Sequence, residues 1–60
     1  MNKTTELIHA YLEQGGNIKN LLMATGIDKG TFMDKLEWSK WDSIESREIR
    51  RTIKEWEEAK

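Results

Sequence analysis

The chain has no cysteine and no proline. Without cysteine there is no disulfide, no thiolate ligand and no thiol nucleophile, so packing alone must hold the fold. Without proline, the turns must be marked by glycine and by capping side chains. There is one histidine, His9, with no partner base and no second metal ligand nearby in the sequence. A hydrolase needs a nucleophile beside a base, so an enzyme is not expected, and neither is a metal or a cofactor. Gly15-Gly16 lacks the strand and the Gly-Lys-Thr that a phosphate loop requires. No apolar run approaches the length of a membrane span, and the N-terminus has no signal-peptide pattern. The expected setting is the cytoplasm of a bacterial host cell, with no membrane partner. Charge of either sign is also nearly missing in sum, since the net charge is −1 and the pI about 5.8. A nucleic-acid binder of this composition needs its positive charge gathered on the docking face.

What remains is a chain of 60 residues, 37% hydrophobic and 35% charged. Those values suit one soluble helical domain over residues 1–60 better than disorder. A domain this small buries only about 60% of the surface that its unfolded chain exposes, so a dimer would help its stability. Residues 4–14 read as a first helix, capped by Thr4 or Asn2, with Leu7, Ile8, Tyr11 and Leu12 in one stripe. His9 falls on the other side, which predicts an exposed histidine. Gly15-Gly16 ends this helix.

The stretch from Asn17 to Leu36 organises the rest. Asn17 is a good N-cap for a second helix running to Thr25, with Ile18, Leu21, Leu22 and Thr25 at helical spacing. Met23 is expected at an edge of the core and Ala24 in solvent. Gly26 suits a left-handed helix end. Ile27 is expected to point back inward, and Asp28 to cap a third helix over Lys29–Glu37. Phe32 and Leu36 share a face of that helix. Gly30 either lets a partner approach the backbone or relieves a local clash. Two helices crossing over a glycine turn make a helix-turn-helix.

Residues 37–43 read as a polar loop carrying Trp38 and Trp41. Trp41 is expected to lid the core; for Trp38, a lid and a partner-binding patch are both open. A fourth helix starts near Ser43 behind a capping box of Asp42 and Glu45. Ile44, Ile49, Ile53 and Trp56 form its apolar stripe. Arg51–Glu55 and Lys54–Glu58 are spaced to pair along it. Arg47, Arg50, Arg51 and Lys54 read first as a solvated face and second as a phosphate-binding strip.

The run Gly26, Ile27, Asp28, Lys29, Gly30, Thr31, Phe32, Met33, Asp34, Lys35, Leu36 resembles the helix-turn-helix of small phage Cro and repressor proteins. The similarity is to Cro-like regulators of Gram-positive phages and mobile elements, and it spans about a third of the chain. It implies an all-α, four-helix, lambda-repressor-like domain that regulates transcription by placing its third helix in the major groove of double-stranded DNA. By this resemblance Lys29, Gly30 and Asp34 occupy base-reading positions, and Asn17 a phosphate-contacting one. Lys29 would donate to a guanine edge or a phosphate, Asp34 would accept from a cytosine amino group, and Met33 would touch a thymine methyl. Thr31 and Lys40 would grip flanking phosphates. A homodimer over two half-sites is the usual arrangement, with the outer side of the fourth helix or its Trp56 end as the dimer surface. The alternative is a small helical interaction module that docks on, and for example inhibits, a host or phage protein. The acidic pI, the carboxylates of the third helix and the tryptophans favour that alternative.

Overall fold

The computed structural model describes residues 3–59. Among them are α1 (Lys3–Glu13), α2 (Ile18–Thr25), α3 (Lys29–Trp38) and α4 (Ser43–Glu58), and no strand. The fold is therefore all-α. Its radius of gyration is 10.4 Å, which is what a close-packed chain of this length has. α4, the longest helix, packs against both α1 and α2.

Local chemistry sets the helix ends. The Asn17 side chain accepts from the Lys19 N–H and starts α2. Gly26 ends α2 with φ 72°, its N–H donating to the Leu22 carbonyl. Asp28 accepts from the Thr31 N–H and starts α3. At α4 the capping box is complete: the Asp42 side chain accepts from the Glu45 N–H at 2.7 Å, and the Glu45 side chain accepts from the Asp42 N–H at 3.2 Å. Each bond satisfies a backbone group that the helix itself leaves open.

The first helix begins at Lys3, so Thr4 is no cap but a buried residue inside α1; Asn2 lies outside the described residues. The core comprises Ile8, Tyr11, Leu21, Phe32, Leu36, Ile49 and Ile53. Leu7, Leu12, Ile18, Leu22, Ile27, Trp41 and Trp56 pack against it half-buried. Met23 and Ile44 do not join: they are 74% and 63% exposed. Both lie off the inward stripe of their helices, because Leu21 on α2 and Ile49 with Ile53 on α4 take the facing positions. Ala24 is half-buried rather than in solvent.

Tyr11 is the pivot of the first turn. Its hydroxyl donates to the Asn17 carbonyl at 2.7 Å and accepts from the Asn17 N–H at 3.0 Å. Its ring meets Trp56 edge-on, with centroids 4.8 Å apart and planes at 75°. Gly16 lies against the same ring, where a Cβ would overlap it. The glycine at 16 is thus demanded by close approach, whereas Gly15 and Gly26 are demanded by positive φ.

Candidate nucleic-acid interface

α3 gives the core Phe32 and Leu36 and leaves most other residues in solvent. With 3.6 residues per turn, Gly30, Asp34 and Trp38 align on the side opposite that pair. All three are exposed, Trp38 by 68%. The helix extends to Trp38, so the loop before α4 shrinks to residues 39–42. Trp38 therefore does not lid the core. Trp41 does: its ring lies 5.0 Å from that of Phe32, tilted by 59°. The Trp41 indole donates to Thr5 Oγ1 at 3.0 Å, and Thr5 Oγ1 donates on to Ser39 Oγ at 3.0 Å. This chain of bonds ties the α3–α4 loop to α1 and satisfies the half-buried indole N–H. Ser39 closes α3 at φ 53°, in the left-handed region, with its N–H donating to the Lys35 carbonyl.

The candidate contact residues gather on the α2–α3 side, and several have existing duties. Lys29, Gly30, Thr31, Met33 and Asp34 occupy consecutive turns of α3, and Met33 is 44% exposed. The Thr31 hydroxyl donates to Asp28 Oδ1 at 2.7 Å, so its proton serves the cap. That bond, with the Thr31 N–H, holds the Asp28 carboxyl below its ordinary value of 3.8. Asn17 likewise uses its side-chain oxygen within the cap of α2. A Cβ at residue 30 would meet only Asp28 Oδ2, at 3.4 Å, an ordinary contact. No local clash therefore calls for glycine there, and the bare backbone faces solvent.

Electrostatics divide the lysines. Among the described residues, Lys19, Lys29 and Lys40 are exposed and have no ion-pair partner. Lys35 is half-buried and pairs with Glu45 of α4 at 3.2 Å. It points across the domain and cannot join an outward positive face. Sequence spacing missed this pair because its members lie on different helices. The flank of α3 nearest α1 is acidic: Asp34 and Glu37 line an open cleft of about 430 Å³ with Met33, Thr5 and His9. His9 is exposed, as its place on the helix predicts. Among the described residues no three His, Cys, Asp or Glu side chains are placed to hold a metal, and no helix is long and apolar enough to cross a membrane. Trp56, half-buried on Tyr11, is a core partner more than a free dimer surface.

The chain matches no protein-family model, and neither the curated proteins nor the solved structures contain a match to it.

Proposed function

We propose that the chain is a sequence-specific DNA-binding regulator of phage or mobile-element type, in which α2, the Gly26 turn and α3 act as a lambda-repressor-like helix-turn-helix. The observation that carries this reading is the economy of α3, which anchors through Phe32 and Leu36 and holds Lys29, Gly30, Thr31, Met33 and Asp34 in solvent. A helix anchored by so few side chains and capped at its N-terminus suits insertion into a major groove. In this reading Lys29 and the bare backbone of Gly30 meet base edges, and Met33 meets a thymine methyl. Asp34 selects a cytosine amino group and rejects acceptors. Asn17 and Lys40 contact flanking phosphates, Thr31 only if its bond to Asp28 opens. A homodimer spanning two half-sites would compensate for the weak binding of one small module.

The test is selection of a duplex from a random pool, followed by a salt series on the selected site. Binding should weaken steeply with salt. Lys29→Ala should cost about 1–3 kcal/mol on the selected sequence if it makes a bidentate base contact, with helicity unchanged. Equal affinity for selected and scrambled duplexes would remove the reading role from α3.

A second reading has its own observation. Asp34 is at the outermost point of α3, beside Glu37 and the exposed Trp38. Carboxylates around an aromatic anchor suit a basic protein surface better than a phosphate backbone. Trp38→Ala separates the two: loss of a protein partner with DNA affinity intact favours the interaction module.

A further inference from the structure

Among the described residues, the helix that carries most lysines and arginines is α4, not α3. Arg47, Arg50, Arg51 and Lys54 follow one another at i, i+3, i+4 and i+7, so they lie on one face. All are exposed, and the core residues Ile49 and Ile53 take the opposite side of the helix. Together they are four of the chain's ten lysines and arginines, on a protein whose net charge is −1.

The arrangement is unfavourable for the helix alone. Arg47 with Arg51, and Arg50 with Lys54, are like charges four residues apart, which repel each other. A face shaped for solubility would alternate signs, as Arg51 and Glu55 do one turn later, at 3.8 Å. Among the described residues Arg47, Arg50 and Lys54 have no ion-pair partner. Arg50 also borders an open groove against α1, with Lys3 and Glu6 across it. Glu57 and Glu58 bound the patch at its far end.

We propose that this strip grips the phosphate backbone of double-stranded DNA, as an anchoring surface separate from α3. Seven residues of helix span about 10 Å, which is about three successive phosphates of one strand at 3.4 Å each along the axis. The Arg47 and Arg50 guanidinium groups suit this task, since a planar fork matches phosphate oxygens, and Arg51 would join them by leaving Glu55. The docked backbone would relieve the repulsion within the strip. The proposal shares with the reading above only the premise that the partner is a duplex.

The test compares R47Q/R50Q/K54Q with K29A and with the unaltered protein, by fluorescence anisotropy on a labelled 20-base-pair duplex between 50 and 200 mM salt, at about the range over which phosphate contacts are lost. Glutamine keeps helix propensity, and circular dichroism checks the fold. The slope of log K against log salt should fall in magnitude by about 2–3 in the triple variant, at about 0.9 per phosphate. It should fall by about 1 or less in K29A. If the triple variant loses its slope while K29A binds normally, the strip stands and the α3 reading falls. An unchanged slope in the triple variant, with K29A weakened, overturns the strip and leaves α3 as the site. No binding by the unaltered protein at 50 mM salt overturns both.

Discussion

The corner around Tyr11 and the helix α3 are held in opposite ways. At the corner, a buried ring is fixed by Trp56 on one side and Gly16 on another, while its hydroxyl bonds both backbone groups of Asn17. α3 is held by Phe32, Leu36 and the Lys35–Glu45 pair, and the rest of it meets water. One region spends its residues on the frame; the other keeps them free. Substitutions at the corner should therefore act on stability, and those on the outside of α3 on binding.

The strongest way to break the contrast is Tyr11→Ala. Truncating a buried aromatic costs about 3–5 kcal/mol. A chain of 60 residues has a total stability of about 3–9 kcal/mol. The variant should be largely unfolded at 25 °C, read as lost helicity in circular dichroism; native-like helicity would show that the corner is not the frame. Tyr11→Phe keeps the ring and strips the Asn17 N–H of its partner, while the Asn17 carbonyl keeps the Asn20 N–H; the cost should be about 1–3 kcal/mol by urea denaturation. Gly16→Ala should cost a similar amount, about 1–3 kcal/mol, because its methyl must displace the Tyr11 ring.

Gly30→Ala sharpens the contrast from the other side. It meets ordinary contact only, so it should stabilise by at most about 1 kcal/mol. If α3 enters a groove, the same methyl should weaken duplex binding, and a variant more stable yet poorer at binding is the expected outcome. The smallest effect concerns pH. Asp28 has a folded-state pKa below its ordinary 3.8, so its contribution to stability is present above that value and lost as pH falls through the lowered one. Asp28→Asn should flatten the acid side of a stability-versus-pH curve; an unaltered curve would mean that ionisation of the Asp28 carboxyl contributes nothing measurable.

The starts of α2, α3 and α4 and the end of α2 were legible because caps are local, whereas Thr4 is no cap and α3 runs on to Trp38. Asn17, Gly26, Asp28 and the Asp42–Glu45 box each act within three or four residues of chain, and each appears where its spacing predicts. Burial was legible where stripes were regular, as at Ile8 with Tyr11 and Phe32 with Leu36. It failed at Met23 and Ile44, apolar residues whose place on the helix turns them from the core. What crosses between helices left no local signal: the Trp41 bond to Thr5 spans 36 residues, and Lys35 finds Glu45 on another helix. For the candidate site, the sequence identified which residues α3 would present, but not that Thr31 and Lys35 already have partners.

Glu45 Oε1 accepts from the Asp42 N–H and from Lys35 Nζ, each at 3.2 Å. A single oxygen atom thus sutures the opening turn of the longest helix to the flank of its predecessor. Any event that unwinds that turn also casts loose the Lys35 ammonium, and any pull on α3 is felt at the start of α4. The presenting surface and the cationic strip are mechanically one piece, joined at a stitch that one methylene too few, as in aspartate at position 45, would leave too short to close.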